Sequence, residues 1–263
     1  MIGVIVPCYR MKKYLPVFLE ELPLQSCINE VKVFLDLNDP DDEELFWIEK
    51  FNKQYPNILD TYIQRPVEPI GTSMNRCIER SSGCDYLALW NVDDLRTSNS
   101  LELQSKILKE NNDIGVVCGN FTIVTSWGTK VGRFIDHTSY SPMEYFRSML
   151  LGPFFMFRRN LITKTGFFDE QLRSGADFDL AIRLAYHSKI MCLPHNLGYY
   201  LNEGRGASTR GNLQPIERTV IEIRYNILDK IQAFYINEAR KYDIDNIKFK
   251  NNSIPVKTFL TGV

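Results

Sequence analysis

Apolar positions along this chain fall into two recurring patterns, short runs of β-branched and aromatic residues and longer stretches with apolar residues every three or four positions. Ile2 to Val6 is a run of the first kind, closed by Pro7-Cys8-Tyr9-Arg10, and reads as a strand. Lys12 to Leu22 is of the second kind, with Tyr14, Leu15, Phe18, Leu19 and Leu22 on one helical face. Val31 to Asp36 predicts a second strand, which runs into an acidic segment with Asp39, Asp41 and Asp42. Glu43 to Tyr55 predicts a helix, Ile58 to Ile63 a third strand, and Gly71 to Ser81 a further helix capped by Thr72 or Ser73. Tyr86-Leu-Ala-Leu-Trp-Asn-Val-Asp-Asp-Leu95 is then a strand buried on both faces that ends in Asn91, Asp93 and Asp94. The order βαβαβαβ requires right-handed crossovers and a mostly parallel sheet.

Beyond Asp94 the pattern predicts a helix over 100–110, one or two strands over 115–125, a turn at Trp127-Gly128 and a return strand from Lys130 to Phe134. Ser141-Pro-Met-Glu144 opens a helix to about Leu150, with Glu144 placed to complete a capping box. Next come a strand over 152–157, a short helix ending at Gly166, and a helix whose face carries Phe178, Ile182 and Ala185. Asp177 and Asp179 fall in its first turn, where the helix dipole favours negative charge. Two short strands, 190–193 and 197–201, precede a polar segment with Arg205 and Arg210. A single amphipathic helix over 215–240 and a polar tail complete the chain, giving a main domain of residues 1–214 and a C-terminal helix and tail, 215–263, packed on it.

The acidic groups matter because open α/β sheets bind ligands outside the carboxyl ends of their strands. Carboxylates at such an edge suit a hard cation or a ribose, and a second acidic turn folded over the first would supply a base. Helix capping is the competing reading for Asp94, Asp41 and Asp42, and a structural pairing with Arg183 at i+4 is the reading for Asp179. His137, His187 and His195 show no metal-ligand spacing.

Composition narrows the classes. With 263 residues, 44% hydrophobic content and net charge −1, the chain supports one large α/β domain and carries no basic field for nucleic acid. Six cysteines lack CxxC pairs and read as reduced thiols in a cytoplasmic protein without signal peptide. The longest apolar stretch, around 149–157, is broken by Gly152 and Pro153 and is too short to span a bilayer, leaving at most peripheral membrane contact.

Several segments occur in the order found in family 2 glycosyltransferases. They are Val4-Ile-Val-Pro-Cys-Tyr-Arg10, the acidic end at Asp36, Leu89-Trp-Asn-Val-Asp-Asp94, Gly166-Phe-Phe-Asp-Glu170, Gly175-Ala-Asp-Phe-Asp-Leu-Ala-Ile-Arg-Leu184, and Tyr199-Tyr200 followed by Gly206-Ala-Ser208. The chain resembles that family over about residues 2–210. The resemblance implies a GT-A fold, with a Rossmann-like, mostly parallel sheet flanked by helices, a small antiparallel element and a C-terminal helix. It implies an inverting transferase that moves a sugar from a UDP-, dTDP- or GDP-sugar to a hydroxyl of a glycan or lipid-linked acceptor, in bacterial-type polysaccharide or glycan biosynthesis.

By position the resemblance assigns Pro7, Tyr9 and Asp36 to the base and ribose, with Asn75 nearby. Asn91-Val92-Asp93 falls at the diphosphate, with Asp93 as ligand for Mn²⁺ or Mg²⁺, and Asp94 falls at the sugar, the metal or its own helix. The resemblance makes Asp177 the general base, and the need to compensate charge on the leaving diphosphate makes Arg205 and Arg210 of the glycine-rich loop candidates for that role. Three positions depart from the family pattern: Leu37 stands where a second Asp contacts the base, Asn91 replaces the first Asp of Asp-x-Asp, which predicts weak metal binding, and Ala176 replaces a Glu. Asn202-Glu203 stands near the place where some relatives carry a further metal-binding His. Leu37 and Asn91 also motivate an alternative, a catalytically degenerate module that binds a nucleotide-sugar or carbohydrate without turnover.

Overall fold

The computed structural model describes residues 1–138, 140–145, 148–204, 211–227 and 235–261. The first half follows the predicted alternation: β1 (Ile2–Cys8), α1 (Leu15–Glu21), β2 (Val31–Asn38), α2 (Asp42–Gln54), β3 (Leu59–Gln64), α3 (Ile70–Arg80) and β4 (Tyr86–Leu89). Then come β5 (Leu95–Arg96), α4 (Ser100–Glu110), β6 (Ile114–Val124), β7 (Arg133–Ile135), α5 (Pro142–Tyr145), β8 (Met156–Arg158), α6 (Ile162–Thr165), α7 (Ala176–His187) and β9 (Lys189–Leu201). The C-terminal part holds α8 (Leu213–Arg224), α9 (Ile236–Ala239) and a hairpin of β10 (Asn246–Phe249) and β11 (Asn252–Pro255).

The main sheet runs β3-β2-β1-β4-β8-β6-β9-β5, with β7 on β6. β1 to β4 are mutually parallel. β8 is antiparallel to both β4 and β6, so β6 and its parallel partner β9 run in the same direction as β4. β1 to β4, β6 and β9 therefore deliver their carboxyl ends to one edge.

Alternation along the strands explains why both faces are covered. Val4, Val6, Ala88 and Trp90 pack on one face with α1, α2 and α4, while Ile5, Leu87 and Leu89 pack on the other with α3, α7 and α8. A sheet covered on both sides needs apolar residues at both parities of the strand.

Several boundaries differ from the sequence pattern, each for a local reason. The central strand stops at Leu89, and Asn91–Asp94 forms a turn closed by the Asp94 N–H on the Asn91 carbonyl at 3.1 Å. Leu95-Arg96 leaves the turn as β5 and pairs with β9, ahead of the helix expected and found over Ser100–Glu110. α3 begins at Ile70, leaving Thr72 and Ser73 inside its first turn rather than at its cap. The predicted strand over 152–157 is shortened to β8, because Gly152 takes a positive φ of 66°. The helix opened by Ser141 is described only over Pro142–Tyr145, with the Ser141 N–H donating to Glu144 at 2.7 Å.

The two short strands after α7 are one, β9, whose register on β6 jumps between Leu193 and Asn196. The single helix expected over 215–240 ends at Arg224, where Tyr225 caps and Asn226 takes φ 54°. Asparagine tolerates that left-handed conformation and stops a helix there. The β10–β11 turn places Lys250 and Asn251 at φ 49° and 62°, as a tight two-residue hairpin requires. Two of the six cysteines, Cys118 and Cys192, are joined as a disulfide, against the expectation of six reduced thiols. They lie 74 residues apart in sequence and meet only because β6 pairs with β9.

Candidate active site

The carboxyl edge gathers the groups singled out in the sequence, but they divide into exposed acids and buried ones that hold them. At the end of β4, Asp93 is partly exposed and Asp94 is only 1% exposed. Asp94 accepts the Leu201 N–H at 2.9 Å and the Asn91 side-chain amide at 3.2 Å, so it clamps the end of β9 to the end of β4. It caps no helix. Burial and the neighbouring Asp93 hold its carboxyl well above the usual range. Trp90 helps fix the turn by donating its indole N–H to the Asp94 carbonyl at 3.0 Å.

Burial also raises the Asp93 carboxyl, with a further push from Glu203. Glu203 follows β9 and is held by the Tyr14 hydroxyl at 2.8 Å and by Lys13 at 3.2 Å. Tyr14 and Lys13 hold the Glu203 carboxyl below its ordinary range, so an ionised Glu203 acts on the raised Asp93, and these two carboxylates with the nearby Asn91 amide are oxygen donors whose charge a divalent cation would relieve. That chemistry fits Mg²⁺ or Mn²⁺, which take one or two protein carboxylates and complete their shell with phosphate and water. Glu203 was the signal passed over in the sequence, where it stands only as the residue near a displaced histidine.

On the other wall, α7 starts at the same edge. The chain reaches it past α3, where Asn75 fixes the climb: its amide accepts the Phe168 N–H at 2.9 Å and donates to the Phe168 carbonyl at 2.9 Å and to Glu170 at 3.1 Å. Asn75 is thus spent on positioning the segment before α7. Gly71, one turn earlier, lies where an added Cβ would meet the Asp169 carbonyl at 3.2 Å, so that segment crosses the start of α3. From Ala176, α7 then descends to the strand β9 at the opposite edge.

The turn carrying Asp177 is held from below by α8. Glu217 is fully buried, and its carboxylate accepts the N–H groups of Arg173, Ser174 and Gly175 at 2.7–3.0 Å. Arg224, two turns on along the same face, binds Asp169 at 2.9 Å and Asp179 at 2.7 Å. Asp179 also binds Arg183 at 2.6 Å, the i+4 partner expected from the sequence, and the Tyr225 hydroxyl at 2.9 Å. Burial works against its charge, yet Arg183 and Arg224 together hold Asp179 below the usual carboxylate range.

Asp177 itself is partly exposed and has one local partner, the Phe178 N–H at 2.8 Å. Burial pushes its carboxyl up to about 6, against that hydrogen bond and with a small push from Glu217. A carboxylate tuned toward neutrality at a ligand edge has the character of a general base.

At the far end of the edge, Pro7 pairs in register with Asp36, and Tyr9 is exposed beneath the Arg10 guanidinium at 5.1 Å. Asp36 is fully covered: Arg76 binds one oxygen at 2.8 Å, while Oδ1 is buried without a hydrogen-bond partner. Burial raises the Asp36 carboxyl and Arg76 opposes the shift. Arg76 also binds Glu68 and lies 4.5 Å from the Tyr62 ring centre, a role the sequence did not signal. Asn38, a candidate substitute for the missing acid at Leu37, is committed to the Glu68 backbone at 2.7 and 3.0 Å. Asp39 takes φ 56° and binds Arg65 at 3.2 Å. Asp41 caps α2 in a capping box with Glu44, and Glu44 also accepts the Met11 N–H at 2.6 Å, tying α2 to the loop after β1. Arg205 and Arg210 lie outside the described residues.

No family model matches the chain. A processive diacylglycerol β-glycosyltransferase of Mycoplasma genitalium is 26% identical over 120 residues, which is 44% of this chain and 35% of that protein. The match thus spans about a third of that relative. Among solved structures, S. aureus TarS 1-349 in complex with UDP-GlcNAc superposes with a TM-score of 0.71 at 18% identity, over 92% of this chain and 73% of that one. The mannosyltransferase PcManGT from Pyrobaculum calidifontis, in complex with GDP-Man and Mn²⁺, superposes with a TM-score of 0.60 at 16% identity, over 92% and 69%. With strand order, covered sheet faces and this superposition in agreement, the chain has the GT-A fold of glycosyltransferases.

Proposed function

We propose that this chain is an inverting glycosyltransferase that moves a sugar from a nucleotide-sugar to an acceptor hydroxyl, with Asp177 as general base. What supports this reading is two partly exposed acids, Asp93 after β4 and Asp177 at the start of α7, each raised by burial and each beside a buried acidic neighbour. A partly exposed carboxylate that burial raises to about 6 at a ligand edge favours turnover over a binding module. The solved neighbours that hold UDP-GlcNAc and GDP-Man support a nucleotide-sugar donor.

In this reading the donor lies along the ends of β1, β2 and β4. Pro7, Tyr9 and the Asp36–Arg76 pair border the nucleoside, and Asp93 borders the diphosphate. Asp93, with Glu203 and Asn91, would hold Mn²⁺ or Mg²⁺, which stabilises negative charge on the departing diphosphate. Asp177 accepts the acceptor hydroxyl proton as that oxygen attacks the anomeric carbon from the face opposite the leaving group, which inverts the configuration there. Arg205 or Arg210 contributes positive charge to the leaving diphosphate. The acceptor is the hydroxyl of a glycan or of a lipid-linked sugar or glyceride, in polysaccharide or glycan assembly. No helix among the described residues is long and apolar enough to cross a membrane, and we place the reaction at the cytoplasmic side, with peripheral membrane contact at most. The domain comprises residues 1–214, and 215–263 serves as its buttress through Glu217 and Arg224.

A thermal-shift screen of UDP-, dTDP- and GDP-sugars with and without Mn²⁺ tests the donor assignment, since a ligand at 100 times its Kd stabilises by about 2.7 kcal/mol. One nucleotide class should raise Tm in a metal-dependent way, and Asp93→Ala should abolish the metal dependence. Absence of any nucleotide-dependent shift would remove the reading.

A further inference from the structure

The proposed transfer leaves one cluster of ligating side chains without a role. Cys118 and Cys192 stand opposite one another in the parallel pair β6–β9, with Cα atoms 4.7 Å apart. His137, from the segment between β7 and α5, lies over them. It is 8% exposed, its backbone N–H donates to Asn120 at 2.6 Å, and its ring meets Phe121 edge-on at 5.3 Å. Its Nδ1 is buried without a hydrogen-bond partner. One ring nitrogen and the two sulfurs all fall within 4.8 Å of one another. Among the described residues no other group of three or more His, Cys, Asp or Glu side chains converges in this way.

Buried ring nitrogens are almost always partnered, so an imidazole with an orphan nitrogen and one ring nitrogen within 4.8 Å of two sulfurs calls for something that completes it. Two thiolates and an imidazole are a soft donor set, suited to zinc and unsuited to the Mg²⁺ or Mn²⁺ of the sheet edge. We infer that the dithiol form of Cys118 and Cys192 binds one zinc ion together with His137. Zn–S bonds of about 2.3 Å at tetrahedral angles set the sulfurs roughly 3.8 Å apart, a spacing that side-chain rotation opens once the disulfide is reduced, from Cα atoms 4.7 Å apart. A water fills the fourth position, and the Tyr145 hydroxyl, 3.5 Å from the Cys192 sulfur, orients the thiolate or that water.

Binding is balanced by release of the two thiol protons: Zn²⁺ and two thiols give a zinc dithiolate and two H⁺. The disulfide is the alternative, metal-free state. A small-molecule disulfide R′SSR′ converts one to the other, since zinc dithiolate, R′SSR′ and two H⁺ give the Cys118–Cys192 disulfide, Zn²⁺ and two R′SH. The zinc form ties the segment before α5 to β6 and β9 through His137, and the disulfide form releases that tie. The site is independent of the proposed transfer and stands or falls separately.

Co²⁺ serves as the spectroscopic probe for zinc. The full chain, reduced with a phosphine and freed of reductant, should take up one equivalent of Co²⁺ with a thiolate charge-transfer band and tetrahedral visible bands, and stoichiometric Zn²⁺ should erase both. Cys192→Ala should lose the charge-transfer band, His137→Ala should weaken Co²⁺ at least tenfold, and the disulfide form should bind none until reduced. Asp93→Ala should leave the spectrum unchanged, separating this site from the sheet edge. Because Cys118 is fully buried and its variants carry a folding risk, alkylation of the half-buried Cys192 in the native reduced chain gives a second readout: Zn²⁺ should protect Cys192 while the half-buried Cys27 stays reactive. No charge-transfer band in the reduced native chain, a band that survives in Cys192→Ala, or alkylation of Cys192 that Zn²⁺ does not slow would overturn the assignment.

Discussion

The turn after β4 and the first turn of α7 are built alike and charged differently. Each presents one partly exposed acid, Asp93 or Asp177, and buries a near neighbour, Asp94 or Asp179, to hold it. Asp94 is met by neutral donors, the Leu201 N–H and the Asn91 amide, and its carboxyl is raised well above the usual range. Asp179 is met by Arg183 and Arg224, and is held below it. One acid is buried as a hydrogen-bond acceptor, the other as a member of an ion network. The ionic version braces a turn reached by a long loop, whereas the neutral one stays within a sheet whose backbone bonds already fix it.

The largest effect separates the two exposed acids. Asp177→Asn should lower kcat by about 10²–10⁴, the usual contribution of a positioned base, with donor Kd within about twofold of the native protein, as checked by titration calorimetry. Turnover at the native rate would leave Asp177 outside the mechanism.

Next come the buried acids. Asp179→Asn leaves Arg183 without its carboxylate and Arg224 with Asp169 alone in the interior, and should cost about 3–5 kcal/mol in urea unfolding. Asp94→Asn keeps an acceptor for the Leu201 N–H, and Asn91 turns its amide to match. It should cost under about 1 kcal/mol, within the range of a net neutral hydrogen bond. Equal losses for the two variants would erase the contrast between neutral and ionic burial.

How much of this was legible beforehand follows from the range of each interaction. The strands β1, β2 and β4 and the helices α1, α2 and α7 were readable because their apolar periodicity is local. Asp41 as a cap and Asp179 paired with Arg183 were readable because both are contacts three or four residues apart. Asp94 could not be separated from a helix cap, since its partner Leu201 is 107 residues away. Glu217 and Arg224 lie on the buried face of α8, where the pattern showed only apolar positions such as Val220, and their partners come from residues 169–179. Asn75 was expected near the nucleotide, and its proximity to Phe168 across 93 residues is a fact of packing alone. The joined Cys118 and Cys192 escaped for the same reason, strand pairing being invisible to spacing.

The pH dependence of kcat/KM tests the central claim most directly, namely that the raised Asp177 carboxyl is the base. Asp177 must be ionised to accept a proton, so the rate should be level above its folded value of about 6 and fall about tenfold per pH unit below it. A rate constant that stays flat from pH 7 down to pH 5 would contradict the account.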